Sequence, residues 1–398
     1  MMLTTSKAWQ IVPKDSGFVV TNVLTGRCMS VANHVGKLLA FCETAKDEKV
    51  IAELLNRYIP SCSAVATISA LISKRLLLFD GDDVFTDTIP AHPTLWGSTH
   101  KVSSRTRIAI VGVPFGLGNT VDIRCKDFPK HLRSNIWSYY SFRKLSDNLL
   151  NLNPSVFGPC INLPKFKDIV RSNSIADLGD VMYYCGETSD MFYDRLEKIS
   201  LRIIREGLTP IYIGGDHSIT YPIVAALNEE NRQFAVLHFD AHTDMKDGVI
   251  MKLHEQFGQK LVNHANVIKR ILDFDNVAHV YQIGVREPFL YDDKKITRIG
   301  ISDIYESKWQ TVFAELKMPV YLTFDVDFFD PLLAPGTANL LPEGGDYENT
   351  LKFLAQVLIH KRVLGVDIVE ANPALDIRNK TTLLVNSLLM HIISLLEL

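Results

Sequence analysis

Three short segments concentrate the side chains able to do chemistry: Gly214-Gly215-Asp216-His217-Ser218, Asp240-Ala241-His242-Thr243-Asp244 and Asp325-Val326-Asp327. Each closes a run of apolar residues. His217, Asp240, His242, Asp244, Asp325 and Asp327 supply two imidazoles and four carboxylates, with no thiolate among them. Such oxygen and nitrogen donors suit hard or borderline divalent cations such as Mn2+ better than structural zinc. Four ionised carboxylates balance two divalent cations; without cations, their mutual repulsion raises their pKa values. Taken singly, an Asp after a strand is commonly a helix cap or a turn residue. Three segments in one layout point to a shared two-cation centre. In extended backbone, residues i and i+2 face the same way. The spacing therefore predicts that Asp240, His242 and Asp244 present to one side, as do Asp325 and Asp327.

The elements that position these residues read as buried strands. Ile108–Val113, Pro210–Gly214, Phe234–Phe239, Val280–Gly284, Val320–Phe324 and Val363–Ile368 are short, nearly continuous apolar runs separated by helical patterns. Strands buried on both faces look like this, which predicts a parallel sheet covered by helices. Ligands of such folds bind beyond the carboxyl ends of the strands, where the acidic residues sit. Residues 1–85 follow another grammar. Short strands at Trp9–Val12, Phe18–Val20 and Cys28–Val31 are joined by turns at Asp15-Ser16-Gly17 and Leu24-Thr25-Gly26-Arg27. Helices follow from Asn33, from Asp47 and over roughly 64–78, giving a β-β-β-α-α-α module. Residues 86–104, with Pro90, Pro93 and Gly97, read as a linker to a catalytic domain at 105–398.

Length and composition set bounds. The chain has 398 residues and is 47% apolar, enough for a full core and a further domain. A net charge of −3 gives no basic character to recruit nucleic acid or an anionic membrane. The six cysteines are scattered without a C-x-x-C pair, which predicts free thiols in a reducing, cytoplasmic setting. The apolar run Thr382–Ile393 is broken by Asn386 and His391 and falls short of the ~20 residues of a membrane span, so it reads as a buried final helix.

Residues 105–398 resemble the ureohydrolase superfamily of arginases and agmatinases. The three ligand segments carry the likeness, together with Val111-Gly112-Val113-Pro114-Phe115, Ile283-Gly284-Val285-Arg286, Phe324-Asp325-Val326-Asp327-Phe328-Phe329-Asp330-Pro331 and Asp367-Ile368-Val369-Glu370-Ala371-Asn372-Pro373. The resemblance implies a three-layer α/β/α arginase-like fold, a pair of Mn2+ ions on the six named ligands, and homo-oligomers. It implies hydrolysis of a guanidinium group to an amine and urea. That carbon is a poor electrophile, and a cation pair answers the difficulty by acidifying water. Glu370 matches the residue that pairs with and orients the guanidinium, and Asp244 both binds metal and assists proton transfer. His264, in His264-Ala265-Asn266-Val267, is similar to the agmatinase proton-relay pattern and is the candidate general acid/base; His254 is the alternative. One departure concerns the substrate. Arginases acting on free arginine carry Asn where this chain has Lys246. A lysine cannot accept a hydrogen bond and repels an α-ammonium, which implies a substrate without one, such as arginine within a peptide.

The N-terminal module is similar to the small winged-helix-like α+β domains that bind leader peptides in ribosomal-peptide-modifying enzymes. The similarity runs from Gly17-Phe18-Val19-Val20 through Thr25-Gly26-Arg27 and Val35-Gly36-Lys37-Leu38-Leu39 to the helix around Val50–Leu55. Together the two resemblances imply a peptide arginase whose partner is a precursor peptide, the leader on the N-terminal domain and the arginine-bearing core at the metals.

Overall fold

The computed structural model describes residues 2–6, 9–15, 17–22, 28–59, 63–74, 76–79, 88–140, 162–184, 186–230, 233–246, 261–288, 291 and 293–396. They form two compact units, Met1–Thr88 with Met182–Thr188, and Ile89–Val181 with Ser189–Leu398.

The larger unit is built on a sheet whose longer strands are β1 (Ile108–Val113), β2 (Ile175–Val181), β3 (Thr209–Gly214), β4 (Phe234–Phe239), β5 (Val277–Ile283), β6 (Ile296–Ile299), β7 (Val320–Asp325) and β8 (Val363–Val369). They lie in the order β6-β5-β4-β7-β8-β3-β1-β2, and each of these pairings is parallel. The apolar runs mark all of them except β2 and β6. In β2 the run is interrupted by Asp177 and Gly179, and Asp177 is consumed in a buried ion pair with Arg133 (2.9 Å). β6 is four residues long and carries Arg298.

The two faces of the sheet differ. Ile110, Ile211, Leu237, Leu322 and Val366 point into a core with Phe128, Phe166, Leu354 and Leu388 from helices Phe128–Tyr140, Leu163–Arg171, Tyr347–Leu358 and Lys380–Leu395. Their neighbours along each strand face the other way. There Tyr212, His238, Thr323 and Asp367 are buried, and helices Ser189–Arg205, Thr220–Glu230 and Val267–Ile271 pack against one another. The result is the expected three-layer α/β architecture, with one dry face and one face of buried polar groups.

The stretch read as a linker is not one from Ile89 onward. Leu95 and Trp96 are fully buried. Trp96 takes a left-handed φ of 52°, and its indole N–H donates to Asn386 Oδ1 (2.9 Å) in the final helix. An apolar pair inside a Pro- and Ser-rich stretch has no period to reveal it. Residues 81–87 lie outside the described residues. Among the described residues no helix is long and apolar enough to cross a membrane.

The smaller unit contains the three expected strands as an antiparallel sheet, Trp9–Lys14, Gly17–Asn22 and Cys28–Val31. Its helices are Asn33–Phe41, Glu48–Tyr58 and Ala64–Ser73. Asp47 caps the second, accepting from Lys49 N (2.8 Å). Two features were not anticipated. Met2–Thr5 forms a strand between Lys46–Asp47 and Leu77–Phe79, and the third helix stops at Ser73 so that 77–79 can pair with it. Leu3, Leu38, Ile51, Leu55, Ile68 and Leu77 share one core. Cys42 and Cys125 are buried free thiols, and Cys28 is exposed with its Sγ 3.3 Å from Thr21 Oγ1; Cys62, Cys160 and Cys185 lie outside the described residues.

Candidate metal centre and active site

All six predicted ligands come together at the carboxyl ends of β3, β4 and β7, but pleat alternation is not what converges them. β4 ends at Phe239, and β7 passes into a 3-10 turn at Val326–Phe328. Each segment instead contains an Asp that folds its own backbone over. Asp216 Oδ1 accepts from Ser218 N (3.0 Å), Asp240 Oδ1 from His242 N (2.6 Å) and Asp325 Oδ1 from Asp327 N (2.9 Å). Such side-chain-to-backbone turns are a habit of Asp. Asp244 and Glu370 complete the site in left-handed backbone, with φ of 49° and 64°. That conformation is costly for a non-glycine residue and collects at functional sites. Gly215 has the opposite need: a Cβ there would collide with the Phe115 carbonyl.

The side chains form two clusters that share Asp240. In the first, His217 Nδ1 lies 2.9 Å from Asp244 Oδ2, 3.2 Å from Asp240 Oδ2 and 3.4 Å from Asp325 Oδ2. In the second, His242 Nδ1 lies 3.0 Å from Asp327 Oδ2 and 3.4 Å from Asp240 Oδ1. His217 Nδ1 is buried among three carboxylate oxygens yet hydrogen-bonds to none of them. One nitrogen facing three acceptors is the arrangement of donors around a cation, and the all-oxygen-and-nitrogen set fits two divalent ions such as Mn2+.

Two buried hydrogen-bond chains behind the clusters were not found in the sequence. His217 Nε2 meets Thr323 Oγ1 (2.8 Å), and that hydroxyl donates to Asp367 Oδ1 (2.6 Å). Tyr321 and Thr220 donate to the other oxygen of Asp367 (2.5 and 3.0 Å). Because Thr323 gives its proton to Asp367, it accepts from His217 Nε2–H, which leaves the Nδ1 lone pair for the cluster. On the other side, Gln282 Nε2 approaches His238 Nδ1 (3.4 Å), and His238 Nε2 lies 2.8 Å from Asp240 Oδ2. His238 is close enough to the first cluster to be a ligand. With Nδ1 facing an amide N–H2, its Nε2 carries the proton, so it acts as a donor that aims the shared carboxylate. The available signal was polar residues inside apolar strands, which must find partners when buried.

A cavity of about 280 Å3 opens over the clusters, walled by Thr120, Val121, Lys246, His264, Thr337 and Glu370. Glu370 Oε1 accepts from His217 N (2.9 Å), and Oε2 accepts from the Asn119 amide (2.7 Å). His264 sits as expected beside Glu370, its Nδ1 3.4 Å from Oε1. Its Nε2 accepts from Thr120 N–H (3.2 Å), so the ring proton is on Nδ1. Burial opposes charging His264, but the Glu370 carboxylate raises its pKa. Lys246 Nζ is held 2.5 Å from Glu287 Oε2, and Glu287 is anchored by Thr243 N (2.7 Å). His254 lies outside the described residues.

The metal-free cage has a pH signature. Burial and Asp240 push Asp327 up to about 6, and burial and Glu370 push Asp216 up to about 7. Both start from 3.8 when unfolded, so the folded state holds extra protons between about pH 4 and 7. Stability therefore falls as pH rises through that window. Burial opposes protonation of His242, but Asp240 and Asp327 push it up to about 12, which continues the same sign above pH 6.5. Chelated protein is expected to melt at a lower temperature at pH 8 than at pH 5.5, and saturating Mn2+ to raise the midpoint most at pH 8. Fluorimetric melting in a buffer series reads this; a metal-free midpoint that climbs across the range contradicts the assignment.

The family model described as "Arginase family" matches residues 106–394. An agmatinase of Sodalis glossinidius is 28% identical over 289 residues, 71% of this chain and 85% of that protein. The mitochondrial guanidino acid hydrolase of Homo sapiens is 29% identical over 301 residues, 72% and 77% of the two chains. The structure of proclavaminate amidino hydrolase from Streptomyces clavuligerus superposes with a TM-score of 0.61 at 20% identity, covering 77% of this chain and 97% of that one. With the matched range spanning both clusters and Glu370, the chain belongs to the arginase family.

Proposed function

We propose that this protein hydrolyses the guanidinium group of arginine side chains in a ribosomally made precursor peptide, yielding ornithine and urea, with the N-terminal unit holding the leader. The observation that carries the hydrolase reading is the double cluster sharing Asp240, with Glu370 beside it in the same cavity. His217, Asp240, His242, Asp244, Asp325 and Asp327 would hold two divalent ions, which supply acidified water. Glu370 accepts the N–H groups of the guanidinium and turns its carbon toward the cage. Asp244 passes a proton toward the leaving amine. His264 exchanges protons with the cavity through Nδ1, since Nε2 is occupied by Thr120 N–H.

The peptide reading is supported by Lys246, whose pinned ammonium on the cavity wall is unfavourable to a second substrate cation. It is also supported by the Met1–Thr88 part of the smaller unit, which lies outside the family match. Trp9–Lys14 and Cys28–Val31 are the edges of its antiparallel sheet among the described residues. An edge strand can take an extended leader by strand addition, and tethering raises the local concentration of the core peptide.

The alternative reading is a hydrolase of a small guanidino compound, favoured by the modest cavity and by what the relatives are named for. Agmatine, 4-guanidinobutyrate, free arginine and an arginine-containing precursor, each supplied to the Mn2+-loaded protein, separate the two by urea release. Urea is expected from the precursor, with excess isolated leader slowing the precursor but not a short core peptide. Urea from the small compounds alone removes the peptide reading. A leader without effect removes the role of the smaller unit.

A further inference from the structure

The loop after β1 is fastened to the site through one side chain. Asn119 is 6% exposed. Its Nδ2 donates to Glu370 Oε2 (2.7 Å), and its Oδ1 accepts from Val121 N (2.7 Å) and Asp122 N (2.8 Å). The residue before it, Gly118, donates its N–H to Asp216 Oδ2 (2.7 Å), and the residue after it, Thr120, donates to His264 Nε2. Thr120 and Val121 then form part of the cavity wall.

We infer that Asn119 is the positioning residue of Glu370, fixing the carboxylate plane for a forked guanidinium and locking it to the loop that walls the cavity. The inference rests on the reading of Glu370 as the guanidinium partner. Each carboxylate oxygen has two acceptor sites. His217 N takes one on Oε1 and Asn119 takes one on Oε2, which leaves Oε2 a free site, while on Oε1 an incoming N–H shares the oxygen with His264 Nδ1–H, 3.4 Å away. There is also a reason the carboxylate needs holding. A buried anion beside a pair of divalent ions is drawn toward them. The amide and the His217 N–H oppose that movement and keep Glu370 free for substrate. The Asn119 side chain bonds to neither cluster, so its effect reaches the reaction through Glu370 and through the loop it fastens.

Asn119→Asp separates this role from loop architecture. It keeps both acceptor contacts to Val121 N and Asp122 N, removes the donor and sets a like charge against Glu370. On whichever guanidino substrate the parent turns over, Asn119→Asp is expected to raise KM and lower kcat/KM about 10- to 100-fold. Metal per chain should stay at the parental value, while the melting midpoint falls at neutral pH because two carboxylates are buried against each other. Asn119→Ala should show a similar kinetic loss together with a lower midpoint. Parental kinetics in Asn119→Asp overturn the inference. If the parent turns over no guanidino compound, the functional reading fails on its own, and calorimetric titration of the Mn2+-loaded protein with methylguanidine still reads the clamp. Weaker binding to Asn119→Asp than to the parent supports the inference; equal binding, or none to either, overturns it.

Discussion

Asp240→Asn is expected to yield a folded protein that retains fewer than two divalent ions per chain and releases urea at about a thousandth of the parental rate or less. The reason lies in how Asp240 is shared. Its Oδ2 faces His217 Nδ1 at 3.2 Å, and its Oδ1 faces His242 Nδ1 at 3.4 Å. An amide has one oxygen, so whichever way it turns, one cluster receives an N–H2 group where it had an acceptor. His238 makes the choice worse. Its Nε2–H is aimed at Oδ2, so an amide nitrogen there sets donor against donor, while the other orientation sets the amide against the His242 N–H. Elemental analysis after gel filtration reads the ions, urea release reads the rate and circular dichroism reads the fold. Two retained ions with a rate within tenfold of the parent would refute the shared-carboxylate geometry.

Glu370→Gln tests the other half of the site and should separate from the first variant in its metal content. Glu370 belongs to neither cluster, so two ions per chain are expected to remain. A neutral amide cannot pair with a guanidinium cation. Its N–H2 group would also confront either the Asn119 amide or the His217 N–H, both of which now donate to the carboxylate. Losing a buried charge partner of this kind costs about 10²- to 10³-fold in kcat/KM. If metal content falls in parallel with activity, Glu370 is part of the cage rather than a substrate group.

The ligands were legible because their chemistry is local. An Asp or His that ends an apolar run cannot be explained by packing, and three such places in one chain constrain one another. What held them together was less legible. The i, i+2 spacing of Asp240 and His242 reads as strand alternation, yet the structure uses an Asp-backed turn, which has the same spacing and a different geometry. His238, Gln282, Thr323 and Asp367 stand inside strands, where a polar residue is ambiguous until its cross-strand neighbour is known. Thr323 and Asp367 pair in register across β7 and β8, though 44 positions apart in the chain. Asn119 was invisible for a similar reason, since its partner Glu370 is 251 positions away. Trp96 was missed because a left-handed turn that buries an indole leaves no periodic trace.

The order of strands governs when the cage can exist during synthesis. β8 is the last strand made, and it lies between β7 and β3. Until it inserts, His217 at the end of β3 is separated from the aspartates that follow β4 and β7. A nascent chain that has already emitted all six ligands therefore still presents them as two disconnected groups. The second cluster needs only β4 and β7, but the paired centre cannot be completed until His217 joins the first cluster, which ties the full two-cation grip to the last strand to be made.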